Sequence, residues 1–163
     1  MRVLGMILLA VVVQAGLEAF LPQAWPPPDL WFLVVVFLGA RMPAWGALLL
    51  GFGVGLAQDL AVGGTWGIHA LGLTMAAFVG SELVRLLPWE ETMGRYAILV
   101  ASFLAKWAGI ALILVWLAVE ISPQFLFFQV FLPELLLTAI MVPPFSLIAG
   151  QIKRQANRAA IYE

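Results

Sequence analysis

The chain has 163 residues, 64% of them hydrophobic and 10% charged, and its mean hydropathy is +1.05. A soluble globular domain is nearer to half apolar and a quarter charged, so the composition excludes one and specifies an integral membrane protein. A net charge of -1, with eight Lys and Arg scattered along the chain, excludes a nucleic-acid surface, and the lack of cysteine excludes a disulfide framework, a thiolate metal site and a cysteine nucleophile.

The first span is expected at about 3–21, apolar except for Gln14 and Glu18. It is long enough to cross a hydrocarbon core, which takes about 20 helical residues. Gln14 and Glu18 lie one turn apart and are expected to face the bundle interior. No small-residue cleavage pattern leading into a polar domain follows, so this span reads as retained and not as a removed signal peptide. Prolines at positions 22, 26, 27 and 28 then forbid a continuing helix. Asp29 after Pro28 supplies a first-turn acid for a short second span, about 29–42. Arg41, Met42 and Pro43 turn the chain into a third span, about 44–60.

That third span runs into the most informative stretch, GFGVGLAQDLAVGGTWG from Gly51 to Gly67. Each glycine in a helix costs about 1 kcal/mol relative to alanine, so a helix carrying Gly46, Gly51, Gly53 and Gly55 must gain something by lacking side chains there. Gly51 and Gly55 form a G-x-x-x-G step with Asp59 one turn further on, a stripe along which another helix can approach closely. Tight packing in a membrane bundle is the plain reading of such a stripe. Gly63 and Gly64 turn the chain into a fourth span, about 66–87, in which Gly72, Ala76 and Gly80 repeat a small residue every fourth position. The connection PWEETMG leads to a fifth span, about 95–119, with Ala101, Ala105 and Gly109 at the same spacing. Ser122 and Pro123 give a cap and first-turn signal for a sixth segment, about 124–150, and residues 151–163 form a polar, basic tail. Pro133 and the Pro143–Pro144 pair interrupt the sixth segment. They leave two arrangements open: one long kinked span, or an interfacial piece over 125–132 with the span beginning at Pro133.

Six spans place Arg2, Arg41, Arg85, Arg95, Lys153, Arg154 and Arg158 on one side, seven of the eight basic residues. By the positive-inside rule both termini are expected in the cytoplasm. Trp25, Trp31 and Trp66 fall at the outer boundary, and Trp45, Trp89 and Tyr96 at the inner one, as interfacial aromatic belts require.

The eighth basic residue, Lys106, lies inside the fifth span, where a cation costs about 2.5–3.5 kcal/mol on insertion scales and is normally paired or faces a wet cavity. Glu134 is the expected partner in a structural ion pair if the sixth segment is one long helix. If the span begins at Pro133, Glu82, Glu18 or backbone carbonyls take that place. Asp29 and Asp59 both fall at the outer ends of their spans and could face each other, but each also has a simpler role at a helix terminus or turn. His69 is the only histidine and makes no metal site alone; an interfacial side chain is its expected role. No nucleotide loop, serine elbow or zinc spacing is present, so the residues give no case for an enzyme, a metal or a cofactor.

PPDL at Pro27 to Leu30, the connection Arg41 to Pro43, GFGVGLAQDL at Gly51 to Leu60 and GGTWGIHAL at Gly63 to Leu71 resemble the MreD family of bacterial rod shape-determining membrane proteins. Pro133-Glu134, the Pro143-Pro144 region and the basic terminus agree with it. The resemblance implies a six-helix, all-α transmembrane bundle over residues 1–150, similar in fold to the substrate-binding subunits of energy-coupling-factor transporters. It implies a non-enzymatic subunit of the elongation machinery in the bacterial inner membrane. Its implied direct partner is MreC, and its indirect partners are the MreB filament, the RodA-type glycosyltransferase and its class B penicillin-binding partner. The family pattern falls on Pro28, Asp29, Gly51, Phe52, Gly55, Asp59, Leu60, Gly63 and Gly67. These mark the third and fourth spans and their outer turn as the expected docking face for a partner helix. The competing reading is a vitamin-binding transporter subunit, which needs convergent polar groups near the outer face. Asp29, Asp59, Gln58, Thr65, His69 and Glu18 are the candidates for such a pocket.

Overall fold

The computed structural model describes residues 12–14, 16, 26–63, 66–119 and 122–159, and every regular element among them is helical. Helix α1 is described at residues 12–14 and 16. It is followed by α2 (Leu30–Gly39), α3 (Ala44–Val62), α4 (Ile68–Leu83), α5 (Thr92–Trp116), the single turn α6 (Pro123–Phe125), a π-helical segment (Leu126–Phe131) and α7 (Leu132–Ala159). Three stretches, Ala44–Val62, Thr92–Trp116 and Leu126–Leu147, are long and apolar enough to cross a membrane, and α2 and α4 are apolar but shorter. The expected first span lies mostly outside the described residues.

Helix α2 is the core. Its sequence, LWFLVVVFLG, is apolar on every side, and all ten of its residues are buried. A helix that is hydrophobic all round must be enclosed, and α2 packs against α3, α4, α5 and α7. Ten residues rising 1.5 Å each make roughly 15 Å, about half of a hydrocarbon core. The helix therefore begins inside the bundle. This corrects the aromatic-belt expectation for Trp31, which is only 5% exposed, whereas Trp45 and Trp66 do lie on the surface.

The small residues set how closely α3, α4 and α5 stack. A Cβ on Gly51 would lie 2.5 Å from the Leu73 carbonyl oxygen, and one on Gly55 would lie 2.4 Å from the Ala70 Cα. Both are positions that no side chain can occupy. On the far side of α4, a Cβ on Gly109 would come within 2.9 Å of the Met75 sulfur, and one on Gly80 within 2.9 Å of Ser102 Oγ. The G-x-x-x-G stripe is thus covered by the chain's own α4. Gly53, on the opposite face of α3, has no described residue within 4 Å of an added Cβ.

The sixth segment runs as continuous helix from Pro123 through Pro133, Pro143 and Pro144 to Ala159. The π-helical segment explains how Pro133 is tolerated. Leu132 N–H donates to the Phe127 carbonyl, one residue beyond the α-helical register, so the widened turn absorbs the amide that Pro133 lacks. No helix break separates span from tail near residue 150.

Gly51→Ala and Gly55→Ala should each lower the thermal midpoint of the detergent-solubilised protein, because overpacking against backbone costs about 1–3 kcal/mol. Gly53→Ala should leave it unchanged or raise it, by at most about 1 kcal/mol of helix propensity. Equal loss at all three positions would contradict this packing.

Candidate functional site

The site begins where α2 begins. Pro26, Pro27 and Pro28 hold the chain extended and stop any helix before Asp29, which then takes the N-cap position: its Oδ1 accepts the Phe32 N–H at 2.9 Å. The exposed amides of this helix start lie inside the protein, where each needs a partner. Asp29 N–H donates to Thr138 Oγ1 at 3.0 Å, and Leu30 N–H donates to Gln14 Oε1 at 3.1 Å. Thr138 sits one helical turn after Glu134 on α7, so one face of α7 grips the start of α2.

Lys106, only 3% exposed and midway along α5, closes the arrangement. Its Nζ lies 2.5 Å from Asp29 Oδ2 and also donates to Glu134 Oε1. The ammonium is therefore held between two carboxylates, from positions 77 residues before it and 28 after it. The rings of Phe103 and Trp107 flank it, with centroids 5.4 and 5.8 Å from Nζ. Phe131 packs against both rings. Of the alternative partners, Glu82 pairs with Arg85 on the surface. Glu18 lies outside the described residues.

Asp59 does a different job. It belongs to the last turn of α3, yet its Oδ2 accepts the Gly67 and Ala70 amides at 2.8 and 3.2 Å, and its Oδ1 accepts the His69 amide at 3.0 Å and His69 Nδ1 at 2.8 Å. Helix α4 starts from Gly67, which has no side chain to cap it, so a carboxylate from the preceding helix satisfies its first-turn donors. Gly63 and Gly67 supply the turn, with φ of 73° and 99°, in the left-handed region that glycine enters without strain. Asp29 and Asp59 share no partner, so they form no carboxylate dyad. His69 is committed to Asp59.

A cavity of about 260 Å³ lies between these two assemblies, lined among others by Asp29, Gln58, His69, Lys106, Trp107 and Glu134. Gln58, one residue before Asp59, is 7% exposed, and its Oε1 has no hydrogen-bond donor. Among the described residues, no group of histidine and carboxylate side chains is arranged to hold a metal ion.

Of the residues expected on a docking face, Pro28, Asp29, Gly51, Gly55 and Asp59 are buried within the chain. Phe52 and Gly63 are exposed, and Gly67 is half-buried. The part of that face carried by Gly51 and Gly55 is occupied by α4, because a helix backbone fills the space their missing side chains leave. Thr138 was not anticipated. Its signal was the i,i+4 spacing from Glu134, which puts a second polar group on the same face of an otherwise apolar helix.

A family model described as rod shape-determining protein MreD matches residues 1–150, and the chain belongs to that family. No curated protein and no solved structure matches it, so the likeness to energy-coupling-factor subunits has no support from known folds.

Lys106→Met should be the most damaging single change at the triad, because removing one partner of a buried ion pair costs about 3–5 kcal/mol by stranding the other charges. Adding Asp29→Asn and Glu134→Gln to Lys106→Met should recover most of the lost thermal stability in detergent. A triple variant no more stable than Lys106→Met would contradict mutual neutralisation.

Proposed function

We propose that the protein is a non-enzymatic scaffold subunit of the bacterial rod-shape and cell-wall elongation complex. It binds MreC directly, within and just outside the membrane, and through it connects to the MreB filament, the RodA-type glycosyltransferase and the class B penicillin-binding protein. The match to the MreD model over residues 1–150 carries this reading. The geometry supports it, because the buried charges are spent on fastening helices to one another: Lys106 joins α2, α5 and α7, and Asp59 joins α3 to α4. A block fastened in this way can hold a partner in a fixed position.

The partner contact is on the outward face of α3. Gly53 lies exposed in mid-helix, beside the exposed Leu49, Phe52 and Ala57, and none of the described residues uses the space its missing side chain leaves. A glycine that weakens a helix by about 1 kcal/mol without serving its own fold suits close approach by another helix. Gly53→Leu should therefore abolish co-purification with MreC and rod-shape complementation while leaving insertion and thermal stability intact. Unchanged pull-down would move the contact elsewhere.

The protein is a multi-pass inner-membrane protein with both termini in the cytoplasm. Because the chain has no native cysteine, single replacements can report topology directly. In intact cells Glu91→Cys should be protected from a membrane-impermeant maleimide and Gly63→Cys should react; the reverse pattern would invert the orientation. The cavity beside Lys106 favours a second reading, a vitamin-binding subunit like those of energy-coupling-factor transporters. Deletion separates the two: loss of rod form supports the scaffold, and loss of vitamin uptake with normal shape supports transport.

A further inference from the structure

Buried polar atoms in a folded protein nearly always have hydrogen-bond partners, so each exception calls for an explanation. Three side-chain atoms lack a partner among the described residues: Ser102 Oγ, Gln58 Oε1 and Trp107 Nε1. Ser102 is wedged between α5 and α4, where a Cβ on Gly80 would come within 2.9 Å of its Oγ. The other two belong to residues that line one space, the cavity of about 260 Å³ beside the triad. They come from different helices, Gln58 from α3 and Trp107 from α5, and they are opposite in kind. A carboxamide oxygen only accepts a hydrogen bond, and an indole N–H only donates one.

The charges on the wall favour neither sign. Lys106 Nζ sits between Asp29 and Glu134, so an entering anion meets carboxyl groups, an entering cation meets the ammonium, and either also gives up its hydration. A neutral molecule escapes both costs. The volume lies close to the lower end of small-molecule pockets. A buried water needs about two to four polar partners, whereas much of this wall is hydrocarbon, with Ile68, Ile110 and Val130 among its residues. The lining thus asks for a carbon skeleton that carries a donor and an acceptor on separate atoms.

We propose that this cavity is a binding site for a compact, uncharged organic carboxamide, whose N–H donates to Gln58 Oε1, whose carbonyl oxygen accepts from Trp107 Nε1 and whose carbon skeleton lies against the apolar wall. An amide suits the pair because its donor and its acceptor point away from each other, toward two different helices. The ion triad takes no part in selecting the ligand and keeps its role of fixing α2, α5 and α7. The site is separate from the partner contact on α3, and each stands without the other.

The test uses the full-length protein in detergent and four probes of nearly one shape: benzamide, benzoate, benzylammonium and toluene. Each is titrated to millimolar concentration, with binding heat and the thermal midpoint as readouts. Benzamide should bind and raise the midpoint, while the anion, the cation and the hydrocarbon bind at least about tenfold more weakly. Gln58→Leu and Trp107→Phe should each weaken benzamide about tenfold, by removing one hydrogen bond and stranding its partner on the ligand. Neither should change the response to toluene, which a mere change in cavity shape would alter. No response to benzamide leaves the chamber to water and overturns the proposal. A charged probe that binds as well as benzamide, toluene doing so, or wild-type benzamide binding in both variants overturns it too. Should the variants fail to fold, the ranking of the four probes on the unaltered protein decides the matter.

Discussion

One ammonium holds the centre of this molecule together. A charge inside a membrane span is unfavourable enough that Lys106 must be met wherever it falls, and two carboxylates from distant parts of the chain meet it. The energy of such a triad is not a large net gain over an apolar core, since desolvation consumes most of the attraction. Its value is geometric. In lipid, apolar helices slide past one another with little preference, and a buried ion pair admits only one register. Asp29 links this register to the backbone, because the carboxylate that receives Lys106 also caps α2. The short central helix is thereby fixed in depth by the same contact that neutralises the lysine.

The second fastening follows the same logic with different chemistry. A buried amide left without a partner is costly, and α4 begins at a glycine that brings no capping side chain. Asp59 reaches across from α3 to take its donors, which is geometrically feasible only if the two helices lie very close. Gly51 and Gly55 permit that approach. The glycines and the carboxylate are therefore one device: lengthening the side chains would separate the helices and carry Asp59 out of reach of Ala70.

Much of this was legible in the residues, and the failures have physical causes. Hydropathy marked the apolar stretches that fold as α3 and α5, proline and aspartate placed the start of α2, and the price of a charge in lipid singled out Lys106 with Glu134 as a partner. Asp29 was not named as the other partner, because 77 residues of intervening chain separate it from Lys106 and no periodicity links them. The stripe of Gly51 and Gly55 was read correctly as a surface of close approach. Spacing cannot say whether the approaching helix belongs to the same chain, and here it does. Trp31 misled because belts are inferred from position in a span, and a half-length helix starts away from the interface. The path through Pro133 was undecidable because a π-helical turn leaves no reliable mark in composition.

The half-length of α2 also accounts for the cavity. A longer central helix would carry its capping carboxylate away from Lys106 and leave it Glu134 on α7 alone. Stopping α2 at Asp29, with three prolines barring any extension toward residue 26, opens space above its N-terminus and presents a capping carboxylate to that space. Lys106 reaches Asp29 only because the helix ends there. The same truncation that makes the ion triad possible thus makes a polar chamber unavoidable, and the neighbouring helix ends furnish its walls with Gln58 and His69. The second carboxylate is what brings in the third helix, since Asp29 ties the start of α2 and Glu134 ties α7 to the one ammonium on α5.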